Sequence, residues 1–149
     1  EETTRFIGDV QEPALVWRGL CGIVGHWALR GYGFFSVIEK DSGRWLGRVG
    51  PWFPHGWPQP EIGWSLNRST WRKGFATEAA AACMDHAVDT LLAEMNGTAA
   101  PPNDAAQGVA RKIGSGDLGE DIEVPGFGMV VDIWGQSADE WRVNRKAFR

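Results

Sequence analysis

The sequence predicts an α+β domain in which helices flank a mostly antiparallel sheet. Three patterns favour this fold class: an amphipathic helical segment near the N-terminus, a β-hairpin directly after it, and a strand joined by a polar loop to a long alanine-rich helix. The 149 residues, 43% of them apolar, suffice for one hydrophobic core. We therefore expect residues 1–149 to form a single domain.

The first part of the chain is predicted to form one helix and one hairpin. Apolar residues recur at helical spacing over residues 11–30, and Gly31 suits a C-terminal stop. Residues 33–39 are aromatic and β-branched, a turn follows, and residues 44–52 resume an apolar alternation. Residues 51–60 contain prolines among aromatic residues, which predicts an irregular loop.

The central part reads as a strand, a loop and a helix. Residues 61–66 are predicted to form a strand, residues 67–73 a polar loop, and the next residues a helix from near Gly74 to near Leu92. Small alanine side chains along this helix permit close packing against a sheet. Cys83 lies among them, so we interpret it as a buried core residue and not as a nucleophile.

Further elements are predicted toward the C-terminus. Residues 94–100 have poor strand propensity, whereas Asn103 is a suitable cap for a helix over residues 104–113. Residues 129–134 read as a strand, and Ser137 with an acidic first turn predicts a terminal helix.

The charge and cysteine content limit the classes of partner. The 15 Lys and Arg residues are outnumbered by 19 Asp and Glu residues, so nucleic acid is not an expected partner. We also expect no metal. No apolar run approaches the ~20 residues of a transmembrane helix. Two cysteines and no signal-peptide pattern favour a reducing cytoplasm. We interpret the basic C-terminal residues as a solvated helix face: Arg142, Arg145, Lys146 and Arg149.

The strongest candidate site is the start of the long helix, where the sequence runs Trp71-Arg72-Lys73-Gly74-Phe75-Ala76-Thr77-Glu78. Unpaired amides in a helix's first turn and its positive dipole end bind anions, and Gly74 permits close backbone approach. Neither GxxxxGK[ST] nor GxGxxG is present, which argues against an NTPase or a Rossmann domain. The alternative is an ordinary solvated loop with a glycine at a turn.

This segment resembles the pyrophosphate loop of the GNAT N-acetyltransferases, written Q/R-x-x-G-x-G/A before a long central helix. Gly74 and Ala76 match this pattern. A Trp at its first position, here Trp71, is also found in the branch of the family that acetylates ribosomal-protein N-termini. Two further motifs are similar: Glu61-Ile62-Gly63-Trp64 before the loop, and an Asn-led helix over residues 103–114 after it. Together they cover roughly residues 33–141.

The resemblance implies a three-layer α/β arrangement and acetyl-CoA as co-substrate. An amine, on a small molecule or a protein N-terminus, would attack the thioester directly, without an acyl-enzyme. The implied contacts are largely main-chain, with Asn103 further along the ligand. They place the pyrophosphate on the amides of Arg72, Lys73, Gly74, Phe75, Ala76 and Thr77, and the pantetheine beside Trp64, Ser65 and Leu66.

Glu61 is the candidate catalytic base, acting through a water, because strand geometry can point it into the cleft. Its alternative is a structural carboxylate or a solubility charge at a strand edge. His55 in the proline-rich loop is a second candidate base, whereas His26 and His86 lie within helices and are expected to be structural.

The general acid and the acceptor pocket are less specified. The family's commonest general acid is a Tyr seven residues after the Asn, and that position is Ala110 here. Ser65 or solvent would then protonate the leaving thiolate. Aromatic residues that either wall an acceptor pocket or simply pack are Trp27, Tyr32, Trp52 and Trp57.

The resemblance also implies that the chain lacks the family's usual N-terminal strand and helix. We therefore expect an unpaired sheet edge and a homodimer that covers the apolar residues Phe34, Phe35, Val37 and Ile38. The alternative is that residues before Ala14 fold back over this edge. The alternative to an enzyme is a catalytically silent acyl-CoA-binding or interaction domain with the same fold.

Overall fold

Helices are interspersed among strands along the chain in the computed structural model, which describes residues 3–57, 59–91, 96–99, 103–119, 122–124 and 129–148. Short 3₁₀-helices at Arg68–Thr70 and Arg145–Phe148 supplement the main elements, and a π-helical turn at Ala87–Leu91 extends the second helix. The elements are α1 (Pro13–Arg30), β1 (Phe35–Ile38), β2 (Trp45–Trp52), β3 (Glu61–Leu66), α2 (Phe75–His86), β4 (Asn96–Ala99), α3 (Asp104–Lys112), β5 (Gly116–Asp117), β6 (Ile122–Val124), β7 (Met129–Gly135) and α4 (Ala138–Asn144).

The strands form one sheet in the order β1-β2-β3-β4-β7-β5, with β6 also paired to β7. Every pairing is antiparallel except that of β3 with β4. Within the described residues these two strands pair only where Glu61 lies opposite Asn96. Beyond Glu61, the edge of β3 that faces β4 is therefore open. The predicted α+β class with a mostly antiparallel sheet is confirmed.

One glycine at the bulge in β2 permits the close approach of β2 to β3. The register shifts between Val37 and Ile38, and Gly47 opposite them has a φ of +149°. A Cβ at Gly47 would stand 2.3 Å from the carbonyl oxygen of Ser65. Only glycine therefore permits β2 to approach β3 at this bulge.

One face of the sheet packs against α2 and α4 and forms the main core. Val49 of β2 and Ile62 of β3 are buried there, and Trp141 of α4 is fully buried. The Trp141 indole donates a hydrogen bond to Asp85 Oδ1 at 3.0 Å, which ties α4 to α2. Small residues of α2 make this close packing possible: Ala80, Ala81, Cys83 and Ala87 are buried.

Helix α1 forms as predicted, but its recurring apolar residues do not form a buried face. Its apolar residues are largely exposed, and His26 is the buried residue of the helix. The helix contacts the sheet near its C-terminal end, where the Trp27 indole donates to the carbonyl of Phe34 at 3.1 Å. Gly31, at a φ of 76°, ends the helix. The exposed apolar residues include Leu15, Val16, Trp17, Leu20, Val24 and Leu29.

Two predicted boundaries are corrected by pairing between strands. Residues 96–99 form β4 despite poor propensity, because they pair with β7. The predicted loop over residues 51–60 starts later, since Pro51 and Trp52 belong to β2. Pro51 is tolerated there because β1 pairs only as far as Val49, so on that side no strand requires its missing amide.

The basic C-terminus is not simply a solvated helix face. Arg145 is largely buried and forms ion pairs with Asp85 at 3.2 Å and Asp89 at 2.9 Å, so it clamps the C-terminal turn to α2. Arg142 pairs with Asp139 on its own helix. Arg149 lies outside the described residues. None of the helices in the described ranges combines the length and hydropathy of a membrane-spanning segment.

Candidate active site

The loop before α2 adopts a conformation suited to binding an anion. Arg72 has a φ of 59° and Gly74 a φ of 90°, so left-handed residues recur at alternate positions. Such loops turn successive backbone N–H groups toward one concave side. The Trp71 indole donates to the carbonyl of Leu66 at 2.8 Å and holds the loop against the end of β3. This contact, next to Arg72 in the chain, helps to maintain the local strain at that residue.

The first turn of α2 leaves its amides available. Gly74 is the N-cap and no side chain caps the helix. The amide of Glu78 donates to Gly74 at 3.0 Å as the first helical bond. Across the described part of the chain, no hydrogen bond engages the amides of Phe75, Ala76 or Thr77. Unengaged donors of this kind, with the positive end of the helix dipole, are what bind anions at helix N-termini.

A pocket of about 520 Å³ lies beside this turn. It brings together α2, the end of α3 and the C-terminal turn. Lys112 contributes a cation, so the site combines main-chain donors with a positive side chain. Its lining residues are Gly74, Thr77, Glu78, Ala81, Ala82, Asp85, Lys112 and Phe148.

The residues of β3 divide between the two sides of the sheet. Leu66 is buried in the main core, and Trp64 packs against both the main core and a second cluster beneath α3. Ser65 is half-buried on the opposite side. Apart from Glu61, the edge of β3 toward β4 pairs with no strand among the described residues, so backbone groups near Trp64 can bind an extended ligand.

We call the opposite side of the sheet the front face; it carries Arg48, Gly50 and Trp52 of β2 and Glu61, Gly63 and Ser65 of β3. Glu61 is only 6% exposed and lies opposite Trp52. Its Oε1 atom is 3.5 Å from the point where a Cβ on Gly63 would stand. Carbons of the Phe34 ring lie 3.0 Å from the same point. The carboxylate and this ring therefore meet over Gly63, where the strands diverge.

Aromatic rings stack along the front face and hold His26 in a structural role. Phe34 stacks on Trp52 at 4.9 Å, and Trp52 stacks on His26 at 4.5 Å. The amide of Phe53 donates to His26 Nε2 at 3.1 Å, so Nδ1 carries the hydrogen and donates to the carbonyl of Tyr32 at 2.7 Å. The prediction that His26 is structural is confirmed, and Trp52 and Tyr32 pack against it.

The remaining candidate side chains, His55, His86 and Cys83, differ in exposure and in contacts. His55 is exposed in a turn closed by the Trp57 amide and the Pro54 carbonyl at 3.1 Å. His86 makes an edge contact with Phe35. Burial raises the pKa of the Cys83 thiol to about 11, which keeps it protonated and confirms that it is a core residue.

Helix α3 is capped as predicted. Seven residues after Asn103, where the resemblance would place a general acid, the helix carries Ala110. Asn103 Oδ1 accepts from the amide of Ala106 at 3.1 Å, which leaves the side-chain amide to donate elsewhere. Ala110 is fully buried against Trp134, with Trp64 packed on the pair. Its methyl group has no proton to give.

Sequence reasoning did not identify Arg48 or the position of Phe34. Both depend on cross-strand register, which a single sequence does not specify. Alternation along residues 44–52 could have placed Arg48 on the same side of the sheet as Trp52. It could not have shown that the Phe34 ring lies beside Arg48.

Comparisons with known proteins agree with this architecture. A family profile described as an acetyltransferase (GNAT) domain matches residues 1–115. An uncharacterised protein, YkkB, of Bacillus subtilis is 36% identical over 90 residues, which are 57% of this chain and 52% of that protein. The aligned part of the chain thus spans about half the length of this curated relative.

Solved structures share the fold. An acetyltransferase from Agrobacterium tumefaciens has a TM-score of 0.79 at 23% identity, covering 91% of this chain and 80% of that one. A ribosomal-protein-S5-alanine acetyltransferase from Vibrio fischeri has a TM-score of 0.72 at 15% identity, covering 95% and 82%. A GNAT-family acetyltransferase from Bacillus anthracis has a TM-score of 0.71 at 20% identity, covering 93% and 82%.

Proposed function

The chain belongs to the GNAT acetyltransferase family, and we propose that it transfers an acetyl group from acetyl-CoA to a primary amine by direct attack on the thioester. The observation that carries this proposal is the loop before α2, where left-handed Arg72 and Gly74 lead into a first turn of unengaged amides. That geometry fits a pyrophosphate. The open edge of β3 next to it fits the extended pantetheine arm.

The proposed binding residues follow the chain from loop to strand. The amides of residues 72–77 hold the pyrophosphate, and Lys112 adds a positive charge in the adjoining pocket. The backbone of Trp64, Ser65 and Leu66 pairs with the pantetheine arm. Because Asn103 uses its oxygen to cap α3, its side-chain amide is the group that donates to the ligand.

The proposed chemistry centres on Glu61. When bound, acetyl-CoA supplies an activated acyl carbon with a thiolate leaving group. Glu61 removes a proton from the incoming amine, directly or through a water, which makes the neutral nucleophile. Burial of Glu61 beside Phe34 places this base in a site with little competing water. Cys83 is buried with a raised pKa, so this thiol does not serve as an acyl carrier.

A second candidate function is a silent acyl-CoA-binding domain. Ala110 favours it, because a buried methyl group stands where the family's commonest general acid would be. Solvent or Ser65 must then protonate the thiolate if the domain is an enzyme. The two candidates share the loop before α2 and differ only in turnover.

Incubation of acetyl-CoA with a panel of primary amines distinguishes them. We expect thiol release that depends on the amine, together with a product heavier by one acetyl group in mass spectrometry. Calorimetric titration with CoA alone measures binding in parallel. Binding without transfer to any amine would support the silent domain, and absence of both would refute the assignment of the loop.

We also propose that the chain associates through the edge strand β1. Phe35 and Ile38 are exposed there, next to a largely apolar pocket of about 390 Å³. Phe34 and Val37 do not belong to this surface, because Phe34 stacks on Trp52 and Val37 packs on the core. Light scattering should give about twice the monomer mass of 16.4 kDa, and the monomer mass would contradict the proposal.

A further inference from the structure

Arg48 is the charged residue of the front face that the proposed reaction leaves unused. It is half-buried on β2, with Ser36 of β1 directly opposite on one side and Ser65 of β3 on the other. Its guanidinium carbon lies 4.6 Å from the centroid of the Phe34 ring. No carboxylate within the described ranges forms an ion pair with Arg48.

Partial burial without a carboxylate partner sets Arg48 apart from the other arginines that the structure describes, since Arg30 and Arg111 lie over rings but are exposed. Arg44, Arg142 and Arg145 each pair with an Asp or Glu. Partial burial lowers the pKa of the Arg48 guanidinium, yet an arginine side chain stays protonated at neutral pH. A desolvated cation that faces only an aromatic ring is stabilised further when an anion reaches it.

The two serines make this position suited to a carboxylate. Directly opposite residues of antiparallel strands have Cβ atoms about 5 Å apart, so Ser36 and Ser65 lie on either side of the base of the Arg48 side chain. Ser36 Oγ accepts from the Trp45 indole at 3.3 Å, so its own proton can be donated to a ligand. A planar guanidinium fork matches the geometry of a carboxylate, and the two serine hydroxyls add donors near the base of the same side chain.

Glu61 and Arg48 lie on either side of the same aromatic ring. Phe34 contacts the point above Gly63 that Glu61 Oε1 also approaches, and Arg48 lies over the Phe34 ring. An acceptor lying on the front face across this ring would present one end to Glu61 and the other to Arg48. The ring thereby acts as the spacer that determines acceptor length.

We infer that the acceptor is an amine that carries a carboxylate, and that Arg48 binds this carboxylate while the amine reaches Glu61. The inference rests on the proposed transfer reaction and specifies its substrate class. Arg48 is then a specificity-determining residue, because it acts on the acceptor's distal group and not on the reacting atoms.

The test compares matched acceptors in wild-type and variant protein. The acceptors are glycine, β-alanine, γ-aminobutyrate and ε-aminocaproate, each paired with its neutral amide. The variant Arg48→Met keeps an apolar chain on Phe34 but removes the charge, and Arg48→Lys keeps the charge without the fork. The ratio of kcat/KM for acid over amide, compared between proteins, cancels differences in amine basicity.

We expect wild type to prefer at least one acid over its amide and Arg48→Met to reduce that preference by about ten- to a hundredfold, through KM, with a much smaller change in transfer to the amides. Arg48→Lys should retain part of the preference. An acid-to-amide ratio that is the same in wild type and Arg48→Met at every chain length would overturn the inference while leaving the transfer function intact.

Binding to the CoA-loaded protein separates this inference from the function itself. Calorimetry with the four acids and their amides should show binding of at least one acid that Arg48→Met abolishes. If this occurs without any transfer, the proposed function fails and the carboxylate site stands. If neither acid-selective binding nor transfer occurs, both are refuted.

Discussion

The candidate site has a main-chain end at the start of α2 and a side-chain end on the front face. At the start of α2, backbone amides and two left-handed residues, Arg72 and Gly74, form the proposed anion site. On the front face, side chains on two strands, Glu61 and Arg48, meet around the Phe34 ring. The first depends on chain conformation over a few consecutive residues, and the second on register between strands. Substitutions should therefore affect the two ends in different ways.

The largest expected effect is on the side-chain end. Glu61→Gln should lower kcat/KM by about 10²–10⁴-fold, because the amide cannot accept the proton of the amine. CoA affinity should stay within about twofold, since the anion site lies at the other end. Rate measurements across pH with parallel calorimetry check both. A variant as active as wild type at every pH would assign the base to another residue.

An intermediate effect is expected where one side chain serves both structure and ligand. Asn103→Ala removes the cap on Ala106 and should cost about 1 kcal/mol of stability. It should also weaken CoA binding by a few-fold through loss of the amide donor. Asn103→Ser restores the cap without the amide, so thermal denaturation should recover while CoA affinity does not. Recovery of both by Ser would show that Asn103 only caps the helix.

The smallest effects are expected for the exposed cations of the main-chain end. Arg72→Gly suits the φ of 59° and removes the side chain with its charge, and Lys73→Ala removes the neighbouring charge. Each should cost about 0.3–1 kcal/mol of CoA binding, less at high salt. Lys40→Ala in the hairpin turn is the matched control and should have no effect. Losses of a hundredfold would mean that side chains, not amides, hold the phosphates.

The same contrast, between local chain conformation and register between strands, explains which features the sequence could predict. The bounds of β3, the start of α2 and the Asn103 cap follow from local patterns, and the structure has them as predicted. β4 could not be predicted, because pairing with β7 overrides its poor propensity. Exposure of the apolar side of α1 and the placement of Arg48 beside Phe34 also depend on contacts between distant segments.

The most direct measurement is calorimetric titration of CoA into Gly74→Asp and Gly74→Asn. A Cβ at Gly74 meets no atom within 4 Å, and Asn and Asp tolerate left-handed backbone similarly, so the two variants differ in charge alone. Like charges about 4 Å apart repel by about 4 kcal/mol near a protein surface. We predict that Gly74→Asn binds CoA within about tenfold of wild type and that Gly74→Asp binds at least a hundredfold more weakly than Gly74→Asn. Equal affinities in the two folded variants would contradict pyrophosphate binding at the start of α2.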